Sequence, residues 1–153
     1  QGKNVLILGC GGTAKAIGYG VKEKGGRLTI TYHGNKERGE SLAKELACEL
    51  VHAREAGTRP IDILINCSPV GMSPNINETP FLARDLKKGM VVFDSVYNPI
   101  ETKLLREAKT AGCKVIPGIE LFINQAARQF ELWTGQTAPI EIMRRATPGY
   151  SKK

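Results

Sequence analysis

Short apolar runs alternate with longer amphipathic stretches along nearly the whole chain, and this alternation constrains the fold more than any other feature. The apolar runs predict five β-strands, at residues 4–8, 27–32, 61–66, 90–94 and 114–116, and a weaker sixth at residues 49–53. Helical spacing predicts helices at residues 13–24, 36–47, 101–111, 119–134 and 139–146. Such alternation is typical of βαβ units, so we expect a three-layer α/β domain with a doubly wound, mostly parallel sheet.

The length of 153 residues predicts one domain, which we place at residues 1–147, followed by a polar tail at residues 148–153. The 22 Lys and Arg residues outnumber the 15 Asp and Glu residues, but they are scattered, and aromatic residues make up only 6% of the chain. This composition argues against nucleic acid, which would need a basic face with interleaved aromatic residues, and favours a small anionic ligand. No apolar run approaches the ~18 residues of a membrane span, so no membrane partner is expected.

The four cysteines are too far apart in the sequence for a CxxC metal or redox pair; they are Cys10, Cys48, Cys67 and Cys113. We therefore expect reduced thiols and a cytoplasmic protein. The chain starts at Gln1, very close to the first predicted strand, and no secretory signal is visible. Such a short lead suggests that a longer protein precedes Gln1.

The first predicted strand runs directly into the sequence GCGGTA at residues 9–14, which opens the first predicted helix. This sequence fits the pattern G-x-G-x-x-A. Gly9 would make the tight turn, Gly11 would let the backbone approach a pyrophosphate, and Ala14 would let the helix pack on the strand. A purely structural glycine turn is the alternative, but the strand before and the helix after favour a dinucleotide site in a Rossmann-type domain.

The end of the second predicted strand indicates which dinucleotide would bind. An NAD enzyme places Asp or Glu there for the ribose hydroxyls, whereas a basic residue accommodates the 2′-phosphate of NADP. No acidic residue stands at this position; Lys36 and Arg38 could contact a 2′-phosphate, and His33 would lie near the adenine. The residues favour NADP, with an ordinary solvated helix start as the alternative.

Three further motifs follow later predicted strands, at the sheet edge where ligands of open α/β domains bind. They are NCSPVGM at residues 66–72, DSVYNP at residues 94–99 and GIELFINQAARQFELWTG at residues 118–135. In this order, and together with the glycine-rich loop, they resemble the C-terminal NADP-binding domain of the shikimate dehydrogenase family over nearly the whole chain. Glu120, ahead of an apolar pair, resembles the form that is fused behind a dehydroquinate dehydratase.

The resemblance implies hydride transfer between NADPH and 3-dehydroshikimate, giving shikimate. It also implies that the glycine-rich loop cradles the pyrophosphate, through Gly9, Gly11, Gly12, Thr13 and Ala14. The residues that it places beside the nicotinamide and its ribose are Asn66, Cys67, Ser68, Ser95 and the backbone of Gly118.

Tyr97 and Gln125 are the substrate contacts that the resemblance implies, and neutral hydrogen-bonding side chains suit a polyol acid. The alternative makes Tyr97 a turn residue and Gln125 a helix surface residue. The resemblance further implies an N-terminal substrate lobe with a catalytic Lys and Asp, which is absent from this chain, so no catalytic residue is assigned here. The chain by itself is expected to bind cofactor without turning over.

The chain departs from the family after its second predicted strand. The family usually has Asn-Arg-Thr there, whereas this chain has YHG at residues 32–34 and then a one-residue insertion at Asn35. Lys36 and Arg38 would then carry the preference for NADP. Two other functions stay open: another Rossmann dehydrogenase of a small acid such as quinate, and a non-catalytic NADP-binding module.

The remaining conspicuous side chains are predicted to be structural. Asp94 ends a buried strand and is expected to bond its own turn rather than act as a base. His33 and His52 are too far apart in the sequence to suggest a metal site. A core-facing stripe at helical spacing is predicted for Phe122, Ala126, Phe130 and Trp133.

Overall fold

The computed structural model describes residues 1–147, so the predicted tail at residues 148–153 lies outside the described residues. Six strands form one sheet in the order β3-β2-β1-β4-β5-β6, and every neighbouring pair is parallel. The strands are β1 (Asn4–Leu8), β2 (Arg27–Tyr32), β3 (Glu49–His52), β4 (Ile63–Asn66), β5 (Val91–Asp94) and β6 (Lys114–Ile116). The predicted doubly wound sheet is confirmed, including its weaker strand.

Five α-helices accompany the sheet: α1 (Gly12–Glu23), α2 (Lys36–Glu45), α3 (Lys103–Thr110), α4 (Gly118–Thr134) and α5 (Ile140–Ala146). Two short 3₁₀ helices, Ala53–Thr58 and Ala83–Asp85, were not predicted, because one or two turns carry no clear periodic pattern. None of the helices within residues 1–147 is long and apolar enough to cross a membrane.

Alternate side chains of the central strands point to opposite faces of the sheet and build two hydrophobic clusters. On one face, Leu6 and Val92 pack with Leu104 of α3. On the other face, Ile7 and Ile30 pack with residues of α1 and α2. Each of these five side chains is at most 2% exposed, and burying one contributes about 1.5 to 3 kcal/mol. Burial on both faces explains why the strands read as continuous apolar runs.

The strand order reverses at β1. The chain builds β2 and β3 on one side of β1 and β4, β5 and β6 on the other. Loops that leave the carboxyl ends of β1, β2 and β4 therefore diverge and leave a crevice between them, which is where open α/β sheets bind their ligands.

The core-facing stripe predicted for α4 is wrong. Trp133 is 79% exposed and Phe122 is 45% exposed. The buried residues of α4 are instead Ile119, Ile123 and Ala127, which recur every four residues on a neighbouring face. Phe122 and Trp133 therefore lie at the surface of the domain, while Ala126 and Phe130 are half-buried.

Candidate functional site

The turn after β1 joins the ends of three neighbouring strands. Gly9 has φ of 108°, a conformation that glycine adopts without strain. Its N–H donates to the hydroxyl of Thr31, in β2, at 3.1 Å. A Cβ built on Gly9 would lie 3.3 Å from the carbonyl oxygen of Cys67, in the turn after β4. A side chain at this position would press these turns apart.

The N-terminus of α1 is open. Gly11 is its N-cap residue, in an extended conformation that offers no side-chain cap, and its carbonyl accepts the first helical hydrogen bond, from Lys15 N–H at 3.0 Å. The N–H groups of Gly12 and Thr13 precede that bond, so the helix itself does not satisfy them. Ala14 is fully buried against β1 and β2, as the glycine pattern predicts. Free N–H groups at the positive end of a helix fit a pyrophosphate.

A cavity of about 460 Å³ lies beside this turn, at the carboxyl edge of the sheet. Its walls come from both sides of the point where the strand order reverses, and they include Gly9, Thr31, His33, Ala53, Ser68 and Val70. This volume lies in the range of pockets that take small ligands and cofactors. The cavity and the open helix end together fit a nucleotide with a phosphate group.

The residues predicted for the adenosine end of the ligand lie in different places. His33 lines the cavity. The Arg38 guanidinium reaches the glycine-rich loop, where its Nη2 would be 3.7 Å from a Cβ on Gly11. Lys36 forms an exposed ion pair with Glu40, one turn along α2, at 3.2 Å. Of the two cations predicted for this end, Arg38 is the one that reaches the glycine-rich loop.

The two histidines are close together, contrary to the expectation from their separation in the sequence. Parallel pairing of β2 with β3 sets Tyr32 opposite His52, and the ring centroids of His33 and His52 are 6.2 Å apart. The His52 Nδ1 accepts the Arg54 N–H at 3.1 Å. Within residues 1–147, no group of three or more His, Cys, Asp or Glu side chains is arranged to hold a metal ion.

Asn66 organises the turn after β4 from within. Its side chain is fully buried, and its Oδ1 accepts both the N–H of Ser68 at 3.0 Å and the Ser68 hydroxyl at 2.7 Å. Its Nδ2 donates to Asp94 at 2.9 Å. The Asn66 side chain is thus committed to the protein, and Ser68, which lines the cavity, is the residue that it positions.

Asp94 is the hub of this network. Its Oδ1 accepts from Asn66 and from the Val96 N–H at 3.0 Å, and its Oδ2 accepts from the Thr102 hydroxyl at 2.6 Å. Burial raises the pKa of Asp94, and the hydrogen bonds from Thr102, Val96 and Asn66 oppose that rise. The sequence prediction that Asp94 bonds its own turn is confirmed, and the contacts from Asn66 and Thr102 link it to β4 and α3 as well.

The buried surroundings of the Cys67 thiol make it unreactive. Burial, with a further contribution from the nearby Asp94 charge, raises the pKa of the Cys67 thiol to about 12. A thiol that stays protonated acts as a small apolar side chain rather than as a nucleophile. All four cysteines are unpaired, as expected from the sequence.

Gly118 seats the start of α4 on the turn after β5. A Cβ there would lie 2.4 Å from the Val96 carbonyl oxygen and 2.6 Å from the Ser95 carbonyl carbon. Only glycine allows this approach, which brings the Gly118 backbone against Ser95. Gly118 is required here by close packing of two backbones rather than by its dihedral angles.

Tyr97 and Gln125 lie on the surface beyond that turn. Tyr97 is 49% exposed and stacks on Phe122, with ring centroids 4.9 Å apart. Gln125 is exposed one turn further along α4. The stacked ring of Phe122 supports Tyr97, and Tyr97, Phe122 and Gln125 are all exposed.

Sequence reasoning missed three residues of the site. Thr31 bonds the glycine turn, Thr102 bonds Asp94, and Phe122 supports Tyr97. Thr31 and Thr102 are at most 2% exposed, but a buried threonine looks like any other β-branched residue in a sequence. The helical spacing of Phe122 predicts a core position, but Phe122 is exposed. Only its register relative to the buried Ile119 and Ile123 distinguishes the two positions.

An all-parallel sheet in this order, with a glycine turn at its centre and an open helix N-terminus, defines a Rossmann-type dinucleotide-binding domain. Residues 118–147 match the family model described as "Shikimate 5'-dehydrogenase C-terminal domain". The NADP(+) shikimate dehydrogenase of Methanosarcina acetivorans is 39% identical over 154 residues, covering 95% of this chain and 55% of the relative. The bifunctional dehydroquinate dehydratase/shikimate dehydrogenase of Arabidopsis thaliana is 40% identical, covering 92% and 24%.

Solved structures agree with these relatives. Quinate dehydrogenase from Corynebacterium glutamicum in complex with NAD superposes with a TM-score of 0.86 at 30% identity, covering 95% of this chain and 54% of that one. Shikimate dehydrogenase from Thermus thermophilus in complex with NADP(H) and shikimate superposes with a TM-score of 0.83 at 30% identity, covering 95% and 56%. The chain is similar to shikimate dehydrogenases over nearly its whole length, and it spans about half the length of these curated relatives.

Proposed function

We propose that this chain is the NADP-binding lobe of a shikimate dehydrogenase, which transfers a hydride reversibly between NADPH and 3-dehydroshikimate. The observation that carries the proposal is the uncapped N-terminus of α1 beside the 460 Å³ cavity. The Thermus thermophilus relative, bound to NADP(H) and shikimate, supports it. The dinucleotide, when bound, supplies the hydride chemistry. The residues of this chain bind and orient it.

The glycine-rich loop holds the pyrophosphate in this proposal. The N–H groups of Gly12 and Thr13 donate to phosphate oxygens, and Gly11 leaves room for the phosphates to approach the backbone. Gly9 and Ala14 act indirectly, since one sets the turn and the other seats α1 on the sheet.

The adenosine end lies between the end of β2 and the cavity wall. His33 packs beside the adenine, and Arg38 contacts the 2′-phosphate near Gly11. Lys36 adds positive charge at the start of α2, although its ion pair with Glu40 must give way for a direct contact.

The nicotinamide end lies over the turns after β4 and β5. Ser68, held by the buried Asn66, presents its backbone and hydroxyl to the ribose, while Cys67 supplies an apolar wall. Ser95 and the Gly118 backbone flank the nicotinamide ring. This end of the site is built on the Asp94 network and is correspondingly rigid.

Tyr97 and Gln125 contact the hydroxyl and carboxylate groups of shikimate, as half of a substrate site. An N-terminal lobe of the same protein supplies the other half, with the Lys and Asp that handle the proton. Residues 1–147 then form the dinucleotide-binding domain. Without the opposing lobe no cleft holds the substrate carbonyl near the nicotinamide, and such positioning is worth ~7 kcal/mol or more of the barrier.

The test compares NADPH formation from shikimate by the isolated chain and by the same chain joined to its N-terminal lobe. We expect turnover only from the joined protein, and a loss of about tenfold or more in kcat/KM for its Gln125→Ala variant. Gln129→Ala, an exposed glutamine on the same helix, is the matched control and should stay at wild-type activity. Turnover by the isolated chain, or an unaffected Gln125→Ala enzyme, would contradict the half-site.

A quinate dehydrogenase using NAD is the second candidate. The observation that favours it is the YHG sequence at residues 32–34, which lacks the basic residue that usually follows β2 in the family, together with the similar quinate dehydrogenase bound to NAD. Assays of the joined protein with shikimate and quinate, each with NADP and NAD, separate the two functions. A domain that binds dinucleotide and leaves both acids untouched even when joined would be a non-catalytic NADP-binding module.

We also propose a cytoplasmic location for the enzyme, since its four cysteines are unpaired. Alkylation of the native protein in a soluble cell fraction tests this, and disulfide-linked cysteines there would contradict it.

A further inference from the structure

A second cavity, of about 300 Å³, adjoins the glycine-rich loop and lies between α1 and α2. Its walls include Gly11, Gly12, Lys15, Arg38, Ser41 and Glu45. The first cavity shares none of these residues. The loop proposed to hold the pyrophosphate therefore has one cavity for a nucleotide base on its β2–β4 side and a separate polar cavity beside α2.

The polar side chains of this second cavity come from two facing helix surfaces. On α2, Arg38, Ser41 and Glu45 recur at intervals of three and four residues, which places them on one face. On α1, Lys15 forms an ion pair with Glu45 at 2.6 Å, and the Tyr19 hydroxyl donates to the same carboxylate oxygen at 2.6 Å. The ion pair of Lys15 with Glu45 thus lies in the wall of the cavity, and Tyr19 holds Glu45 from α1.

Arg38 is the free cation of this cavity. The backbone N–H of Arg38 donates to the Asn35 side chain at 2.8 Å, and this hydrogen bond fixes the first turn of α2. Within the described part of the chain, its guanidinium has no hydrogen-bond or ion-pair partner, whereas the charge of Lys15 is matched by Glu45. A guanidinium beside a serine hydroxyl is suited to a phosphate monoester.

The position of the cavity identifies which phosphate it fits. In a Rossmann-type domain the adenosine ribose lies between the glycine-rich loop and the end of β2, so its 2′-oxygen faces the start of α2. The proposed function already places the 2′-phosphate of NADP at Arg38, which lines this cavity. We propose that Ser41 binds this phosphate together with Arg38, and that Glu45 limits the preference for NADP over NAD. This inference rests on the proposed function, because it names the determinants of cofactor choice in the same site.

Glu45 acts against the phosphate through its charge. The hydrogen bond and charge of Glu45 raise the pKa of Lys15, but the carboxylate also cancels the charge of Lys15 and repels an incoming dianion. Glu45→Gln keeps an oxygen that accepts from Lys15 and Tyr19 while removing the negative charge. We therefore expect Glu45→Gln to bind NADP about threefold to tenfold more tightly, with NAD affinity unchanged.

The experiment is calorimetric titration of the chain with NADP⁺ and, separately, with NAD⁺. Arg38→Ala should weaken NADP⁺ binding about tenfold to a hundredfold and Ser41→Ala about threefold to tenfold, both without effect on NAD⁺. Lys44→Ala removes a cation from the same helix outside the cavity, and Glu23→Gln removes an exposed carboxylate from the far end of α1. Both controls should match the unmodified chain, and thermal melts should show every variant folded.

An unchanged or weaker NADP⁺ affinity in Glu45→Gln would overturn the role of Glu45. Equal losses of NADP⁺ and NAD⁺ affinity in Ser41→Ala would overturn the assignment of the 2′-phosphate to this cavity. Failure of the unmodified chain to bind either dinucleotide has a different meaning, because it would contradict the proposed function itself.

Discussion

At the residue scale, the two glycines that begin the loop serve different purposes. Gly9 has a positive φ and lies against the Cys67 carbonyl, so the fold itself requires it. Gly11 has φ of −88° and ψ of −173°, an extended conformation that any residue adopts, and its nearest neighbour is the mobile end of the Arg38 side chain. The backbone therefore does not require glycine at position 11, which agrees with our proposal that a pyrophosphate approaches it.

Gly11→Val should leave the domain folded and abolish dinucleotide binding, a loss of at least about a hundredfold, because a β-branched side chain would occupy the space of the pyrophosphate. Gly20→Val is the matched control, since Gly20 lies on α1 with open space around it. Calorimetry with NADP⁺ and a thermal melt of each variant check this. Retained binding by a folded Gly11→Val chain would mean that this glycine serves turn geometry alone.

The buried carboxyl of Asp94 should make stability depend on pH in a particular direction. Burial raises the pKa of Asp94 in the folded state. The folded state therefore binds this proton more tightly than the unfolded state, where the pKa is about 3.9. The protonated Asp94 carboxyl therefore adds to the free energy of unfolding. This contribution is fully present below that value and is lost as the pH rises through the folded pKa. In Asp94→Asn this dependence is absent.

Urea unfolding at a series of pH values tests the sign. The wild-type free energy of unfolding minus that of Asp94→Asn should fall as the pH rises above about 4. Asp62→Asn gives the opposite control, because the Asn4 N–H lowers the pKa of Asp62 and its stabilisation is lost as the pH falls. If the two differences changed with pH in the same direction, this assignment would be contradicted.

At the element scale, the sequence predicted every strand and α-helix, because periodic burial repeats over many residues and leaves a pattern in them. It could not predict the face of α4, where Phe122 and Trp133 lie at helical spacing but outside the buried stripe of Ile119, Ile123 and Ala127. Which stripe is buried depends on how α4 is seated on the turn after β5, and that contact joins residues distant in the sequence.

Gly118→Ala tests this seating. Its Cβ would overlap the carbonyl groups of Ser95 and Val96, so we expect the free energy of unfolding to fall by about 1 to 3 kcal/mol. Gly20→Ala, with open space around it within α1, should instead raise it by about 0.5 to 1 kcal/mol. Urea unfolding of both variants decides the matter, and equal stabilities would show that α4 does not depend on the Gly118 contact.

At the scale of the whole molecule, the site is assembled at one edge of the sheet from turns that are distant in the sequence. The glycine-rich loop, the turn after β4 and the start of α4 each carry a recognisable motif, so their place at one edge of the sheet could be predicted. The hydrogen bonds that connect them, from Thr31 to Gly9 and from Thr102 to Asp94, could not, because each joins side chains whose proximity only the fold creates.

The most direct test of the account is to follow the backbone amide resonances of the isolated chain by NMR while NADP⁺ is added. The account predicts saturable shifts concentrated at residues 9–14, 33–41 and 66–70, with the amides of Gly12 and Thr13 among the largest because they donate to the pyrophosphate. Gln129 and the C-terminal half of α4 should be unaffected. An absence of shifts, or saturable shifts confined to surfaces away from the carboxyl edge of the sheet, would contradict the assignment of this chain as a dinucleotide-binding lobe.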